Sequence, residues 1–406
     1  MSKESNIIFV DDEPRVLDGI RRMLRPKRND WKMVFVTGGP EALDLMGQTP
    51  FDVIVSDMRM PGMNGVELLN HVRRQFPQTI RIAFSGQASK EMALRCAGPV
   101  HQFIPKPTDA KMLIDTIEGA CSLHSHLSIT SLKVGISQLE SLPSLPRPYR
   151  ALFDQTITPS TPLDQIANVI ANDLGLSSKI LQLANSAFFS TDARVSKISD
   201  AVHQIGFEAI KDLVHTVGIL RPIQDDSPVI PHLEEIWHHS LTVADLARRI
   251  AAYENAASNV QDDAYLAGML HNIGALVLAT LFPDSYTFGQ VSKILDISSG
   301  GIAEQVPLET PYAEVGTYLL GLWGFADSIL DATAYHHNPS ASSTCEFGPL
   351  AAVHVARAIL LEESGKLQIG LDSHIDHEFV EKIGKIDRIS SWRNLLDPND
   401  KQQKAS

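Results

Sequence analysis

Cysteine is scarce in this chain: three in 406 residues, Cys96, Cys121 and Cys345. They are widely spaced, odd in number and fit no metal-ligand pattern, which excludes a disulfide framework and suits reduced thiols. Positive charge is also short, with 35 Lys and Arg against 48 Asp and Glu, a formal net charge of -13. A nucleic-acid binder needs a basic face for phosphate contacts, and no Lys/Arg-rich recognition segment is present. A DNA-binding regulator is thereby disfavoured. No basic N-terminal segment precedes an apolar run, so no signal peptide is expected. The most apolar window, 264–282, contains His271 and Asn272 and reads as a buried helix rather than a membrane span. These absences leave a cytoplasmic protein with no membrane or nucleic-acid partner, and its length allows two or three domains.

The first 120 residues alternate short apolar runs with helical patterns. NIIFVDD (6–12), MVFV (33–36), DVIVSD (52–57), IRIAFSG (80–86) and HQFIPK (101–106) read as buried strands. Helical spacing occupies 14–24, 39–47, 65–76 and a stretch near 89–97, with Pro14 suited to a first helical turn. Five strands alternating with helices imply an α/β doubly wound, five-stranded parallel sheet, whose ligands bind beyond the carboxyl ends of the strands. There the sequence places Asp11 and Asp12 after the first strand, Asp57 at the third, Ser85 at the fourth and Lys106 at the fifth. Three carboxylates in one crevice repel unless a cation sits among them, and hard oxygen ligands favour Mg²⁺. Asp57 is then placed to accept a phosphoryl group, with Lys106 neutralising charge and Ser85 hydrogen-bonding a phosphoryl oxygen. Strand-end aspartates also cap helices, but five matched positions exceed what capping explains.

VDDEP, SDMRMPGMNG, FSG and PKP resemble the motifs of the response-regulator receiver domain, a flavodoxin-like fold, over residues 6 to about 120. The resemblance implies that Asp57 is the phosphoacceptor and that Asp11, Asp12, Asp57 and the backbone carbonyl of Arg59 hold Mg²⁺. It makes Ser85 the switch hydroxyl, Lys106 the phosphate-binding lysine and Phe103 the switching aromatic. A cognate sensor histidine kinase is the implied partner.

Residues 123–140 read equally as a helix carrying a heptad-like stripe or as a plain linker. SLPSLPRP (141–148) opens the next domain, with three prolines in eight positions. The pattern is then helical almost throughout, an all-α bundle. Two helices fill 162–189, with Asp173 and Ser177 as candidate caps, and further helices occupy 196–220, 237–253, 262–282, 314–325, 332–337 and 348–363. Asp262 and Asp263 are expected to cap the start of the 262–282 helix. Trp237 and Trp323 are expected in the core. NDLGLSSKILQLANSAFF, SKISDAVHQIGFEAIKDLV, WHHSLTVADLA and AGMLHNIGALVL resemble the HDOD domain, a helical module related to HD-type metal phosphohydrolases. The resulting division is a receiver over 1–122, a linker over 123–140, an HDOD domain over 141–365, and a C-terminal helical extension with a polar tail over 366–406.

HD-type enzymes hold one or two metals with an early histidine, a His-Asp pair and a distant aspartate. Here His239 matches the early histidine and His271 the paired one, but Asn272 replaces the aspartate and Arg357 stands for the distal one. Ala275 replaces the lysine of the HD-GYP branch. A neutral amide bridges metals poorly, and an arginine cannot lose its proton to become a ligand. His238 adjoins His239, His336 and His337 could add nitrogen ligands, and imidazoles alone can hold Zn²⁺, yet a histidine amid apolar helix is more often a hydrogen-bonded core residue. This vestigial site is expected to bind no cofactor and do no chemistry.

The expectation is a two-component response regulator whose HDOD output acts on a downstream signalling protein or a second copy of itself. The rival is an HD-type metal-dependent phosphodiesterase acting on a cyclic dinucleotide. Because more than one ligand is missing, Asn272→Asp alone should not create phosphodiesterase turnover; hydrolysis by the single variant, with bound metal by elemental analysis, would contradict the non-catalytic reading.

Overall fold

The computed structural model describes residues 4–86, 98–127, 130–139, 141–156, 158, 160–186, 189, 195–214, 230–281, 312–363 and 375–396. The helix expected near 89–97, part of the LANSAFF segment and the polar tail from 398 lie outside these residues. The chain divides into two compact units: 1–222 with 318–325, and 223–317 with 326–406.

In the first unit, β1 (Ser5–Val10), β2 (Trp31–Val36), β3 (Val53–Asp57), β4 (Ile80–Ser85) and β5 (Gln102–Pro105) form one parallel sheet in the order β2-β1-β3-β4-β5. Every residue of β3 and β4 is buried, as expected for parallel strands covered on both faces, and this is why they read as unbroken apolar runs. Helices α1 (Pro14–Met23), α2 (Gly39–Gln48) and α3 (Gly65–Gln75) follow the first three strands. Asn64 caps α3 reciprocally: its Oδ1 accepts from the Glu67 amide at 3.0 Å, while Glu67 Oε2 accepts from the Asn64 amide at 3.2 Å. A Cβ on Gly65 would lie 2.1 Å from the Asp57 carbonyl oxygen, so only glycine lets α3 start directly behind that strand end.

After β5 come α4 (Ala110–His126) and α5 (Thr130–Gln138), which decides the linker in favour of helix, broken between the two. The chain continues through α6 (Pro146–Thr156), α7 (Leu163–Ala171), α8 (Leu174–Ala184), α9 (Ile198–Ile205) and α10 (Phe207–Asp212). Asp173 caps α8 as expected, its Oδ1 accepting from the Leu176 amide at 2.7 Å. Its Oδ2 accepts from the Leu145 amide at 2.6 Å and the Ser144 hydroxyl at 3.0 Å, pinning the proline-rich segment to the helix. Ser177 is not a cap. It lies inside α8, and its hydroxyl donates to Ile170 O at 2.8 Å.

In the second unit, α11 (Ile230–Tyr253) packs along α12 (Ser258–Leu270), where a Cβ on Gly268 would fall 2.7 Å from the Ala244 Cα. The helix expected over 262–282 begins earlier and is broken, continuing as α13 (Ile273–Leu281). His271 Nδ1 donates to Gly268 O at 2.7 Å, the carbonyl that a continuing helix would pair with the Asn272 amide. Asp262 and Asp263 are therefore interior rather than capping: Asp262 pairs with Arg248 at 3.1 Å, and Asp263 accepts from the Ser328 hydroxyl at 2.7 Å. The stretch 258–281 is long and apolar enough to cross a membrane, but it is mostly buried within the protein.

The remaining helices are α14 (Tyr312–Leu322), α15 (Asp327–Tyr335), α16 (Pro349–Glu363), α17 (His377–Lys382) and α18 (Ile389–Arg393). Trp237 and Trp323 are buried, as expected. Glu254 anchors the C-terminal helices, bonding Lys385 Nζ at 2.5 Å and Trp392 Nε1 at 3.1 Å. Trp392 is fully buried, a role the sequence did not reveal.

Burial pushes the pKa of Asp173 from its ordinary 3.8 up to about 6, despite the hydrogen bonds that act the other way. The folded value lies above the unfolded one, so this carboxyl favours folding most below pH 3.8. That contribution, about 3 kcal/mol at most, is lost as pH rises through 6. Denaturant unfolding of Asp173→Asn should show a flatter stability profile between pH 4 and 6 than the wild type, whereas an unchanged slope would exclude Asp173 as its source.

Candidate functional site

The carboxyl ends of β1, β3 and β5 converge on one acidic pocket. Asp57 and Asp11 are buried and Asp12 is half-buried. Lys106 Nζ lies 2.5 Å from Asp57 Oδ1 and 2.6 Å from Asp11 Oδ2, and 4.8 Å from the Phe84 ring centre. Burial by itself lowers the pKa of Lys106, but its hydrogen bonds to Asp11 and Asp57 more than reverse this and hold it above the ordinary 10.5. The Arg59 amide donates to Asp57 Oδ2 at 2.5 Å, and the Glu13 amide to Asp11 Oδ1 at 2.9 Å. The Asp57 carboxylate is thus fixed from both sides by a cation and an amide.

The structure brings Asp11, Asp57, Lys106 and the Arg59 backbone together. Ser85 ends β4 beside them, but its hydroxyl donates to Gly86 O at 3.2 Å. Phe103 pairs with Ala83 across the sheet and packs, partly buried, against the core that includes Val100 and Met58. Among the described residues no three His, Cys, Asp or Glu side chains are grouped to hold a metal ion. Between Asp11 and Asp57 the bridging charge here is the Lys106 ammonium. The donor chemistry nonetheless suits a hard dication: Asp11 and Asp57 bring carboxylate oxygens to one place, with a single ammonium between them.

In the second unit the four HD-like positions lie around a buried cluster of aromatic and imidazole rings. His239 and His271 have ring centres 6.0 Å apart, and His271 and His336 4.9 Å apart. Asn272 Nδ2 donates to Ser240 Oγ at 3.2 Å. Arg357 is buried on α16, and its charge opposes protonation of His271, His336 and His337. The Tyr312 hydroxyl lies 2.5 Å from His337 Nε2 and 3.4 Å from His336 Nε2. Burial first, then neighbouring imidazoles and Arg357, hold His271, His336 and His337 well below 6.5, so these rings are neutral at physiological pH.

Backbone carbonyls fix two tautomers: Nδ1 of His271 donates to Gly268 O and Nδ1 of His336 to Thr333 O at 2.8 Å. His354 is neutral too, its Nδ1 donating to His336 O at 2.9 Å and its Nε2 accepting from the Asp376 amide at 2.8 Å. Tyr312, Ser240 and His354 joined this cluster with no sequence signal beyond being polar residues in helical runs. His238 is exposed on α11 and outside it.

A parallel sheet with an acidic pocket at its strand ends is thus followed by a helical region. The response regulator receiver domain family matches residues 7–118 and the HDOD domain family residues 142–339. The chain is a response regulator receiver domain followed by an HDOD domain. An uncharacterized protein of Treponema pallidum is 25% identical over 215 residues, 52% of this chain and 40% of that one. The hydrogenase transcriptional regulatory protein HoxA of Cupriavidus necator is 37% identical over 121 residues, 29% of this chain and 24% of its own length. This chain thus spans well under half of either relative. The MmoQ response regulator of Methylococcus capsulatus is similar in structure over 63% of this chain and 98% of its own, with 21% identity and a TM-score of 0.44.

Neutral buried imidazoles make the second unit acid-sensitive. Burial holds His354 at about 4, below its ordinary 6.5, so its contribution is complete above pH 6.5 and is lost as pH falls towards 4, about 3 kcal/mol for this residue. Hydrogen exchange across 327–335 and 349–363 should accelerate on acidification from pH 7 to 5, after correction for intrinsic rates. In His354→Gln that acceleration should be smaller. Equal pH dependence in the two proteins would remove His354 from the account.

Proposed function

We propose that this response regulator is phosphorylated on Asp57 by a sensor histidine kinase, and that its HDOD domain is a non-catalytic output acting by protein binding. The observation that carries the phosphoacceptor role is the double clamp of Lys106 on Asp57 and Asp11. An Asp57 oxygen attacks the phosphorus of a phosphohistidine, the phosphorus–nitrogen bond breaks, and the imidazole leaves with its electron pair and takes a proton. Asp11, Asp12, Asp57 and the carbonyl of Arg59 would hold Mg²⁺, which when bound offsets charge on the transferred group. Lys106 exchanges its bond to Asp57 for a phosphoryl oxygen, and Ser85 turns its hydroxyl from Gly86 O towards another. Phe103 shifts with that strand end and alters the surface that the receiver presents.

The chemistry of the second cluster supports a non-catalytic output. It supplies neutral rings, an amide bonded to Ser240 and the Arg357 cation where an HD-type hydrolase has carboxylates. The downstream partner is a signalling protein or a second copy of the chain.

Incubation with acetyl phosphate and Mg²⁺ should add one acid-labile phosphoryl group to the wild type, seen by intact mass, and none to Asp57→Asn. Equal labelling of both would place the phosphoacceptor elsewhere. The full chain should leave a phosphodiester substrate intact with Mg²⁺ or Mn²⁺, and turnover abolished by His271→Ala would overturn the non-catalytic reading.

A further inference from the structure

Asp57 stands in a row of side chains on one face of the sheet. The register pairs Asp57 of β3 with Phe84 of β4, and Phe84 with Ile104 of β5. Partners in register on parallel strands point the same way, so Phe84 lies next to Asp57 on the pocket face. Lys106 follows Ile104 by two residues and returns to that face. Its amide donates to Ser85 O at 2.8 Å, which fixes the start of its side chain against the end of β4.

β5 and β3 are two strand spacings apart, roughly 10 Å, with β4 between them. To reach Asp57 the lysine has to cross β4, and at that level β4 carries Phe84. Phe84 is 4% exposed, and Lys106 Nζ lies 4.8 Å from its ring centre. An ammonium over an aromatic ring is attracted by the negative face of the ring, more strongly as water is removed. Two hydrogens of the ammonium are directed to Asp11 Oδ2 at 2.6 Å and Asp57 Oδ1 at 2.5 Å. The ring is a third contact.

These contacts fare differently when Asp57 takes a phosphoryl group. One Asp57 oxygen becomes the bridging oxygen of an acyl phosphate, so the carboxylate charge is lost and negative charge sits on the phosphoryl oxygens instead. Lys106 then keeps Asp11 and must exchange Asp57 for one of those oxygens. The ring face is untouched by that chemistry. Leucine at this position would keep an apolar floor under the lysine but offer no face that attracts a cation.

We propose that Phe84 is a positioning residue for phosphoryl transfer to Asp57: its ring face supports the Lys106 ammonium across β4 and keeps it over the pocket while it exchanges Asp57 for a phosphoryl oxygen. The proposal rests on Asp57 being the phosphoacceptor. Before transfer two carboxylates hold the ammonium, and the ring contributes a smaller share. After transfer one carboxylate charge is gone. The phosphoryl group also covers a lysine side chain that was 22% exposed, which strengthens the ring contact. Loss of the ring face therefore weakens the phosphorylated state more than the free one.

The test uses the full chain with saturating Mg²⁺, acetyl phosphate as donor and beryllofluoride as mimic of the bound phosphoryl group. Phe84→Leu should be labelled on Asp57 about threefold to tenfold more slowly than the wild type, and should bind beryllofluoride more weakly by a similar factor. A trifluorinated phenylalanine placed at position 84 keeps the size and burial of the ring while draining charge from its face. Its rate and affinity should fall between those of the wild type and Phe84→Leu. A ring that served packing alone would leave the fluorinated protein at wild-type values. That result would overturn the positioning role whatever Phe84→Leu does, and it would leave the phosphoacceptor standing. If Phe84→Leu does not fold, the fluorinated protein decides by itself. No labelling of the wild type would overturn the phosphoacceptor and the positioning role together.

Discussion

Like charges do not gather without compensation, and the receiver places Asp11 and Asp57 on one half-buried ammonium. Lys106 spans the two carboxylates at 2.5 and 2.6 Å. Burial alone would lower its pKa, and the bonds to both carboxylates more than reverse this. The surroundings follow from that arrangement. Gly65 must lack a side chain for α3 to start behind Asp57, and the Arg59 amide supplies the second hold on the Asp57 carboxylate. The pocket thus holds two carboxylates and one ammonium in direct contact.

The buried cluster of the second unit solves the opposite problem. His271 and His336 are fully buried, and desolvation drives their protons off. With neutral rings, their Nδ1 hydrogens go to backbone carbonyls and the cluster becomes part of the helical core. Asn272 bonds Ser240 across to α11, and Arg357 discourages any protonation nearby. A site of this composition ties the helices around it together.

The receiver was the more legible half, for a physical reason. Parallel strands buried on both faces leave continuous apolar runs, and their ends are marked by the polar residues that follow, so Asp11, Asp57, Ser85 and Lys106 could be placed from spacing alone. The HD-like positions were legible as well, since His239, His271, Asn272 and Arg357 do lie around one cluster. What escaped was set by contacts distant in sequence. The break at His271 depends on a side chain taking a carbonyl from its own helix, which apolar periodicity does not register. Asp262 and Asp263 looked like caps because charged pairs often are; Arg248 and Ser328, 14 and 65 residues away, give them their actual roles. Glu254 holds Lys385 and Trp392 across more than 130 positions, and no local pattern points to that pairing.

Two kinds of contact join β4 and β5 to the helices that follow the sheet. A neutral hydrogen bond contributes about 0.5–1.5 kcal/mol net, because water competes for both partners. Gln102 to Gly321 and Gln182 to His101 are bonds of this kind, and the first lies among the buried side chains of Tyr318, Leu319, Leu320 and Leu322. The cage of Pro99, Thr79 and Ser137 carbonyls around the Arg81 guanidinium differs in kind. Stripping a buried guanidinium of its carbonyls is far more costly, and burial already pushes its pKa down to about 9. Ser137 is thereby held to β4 through the Arg81 guanidinium. That cage keeps α5 attached to the sheet.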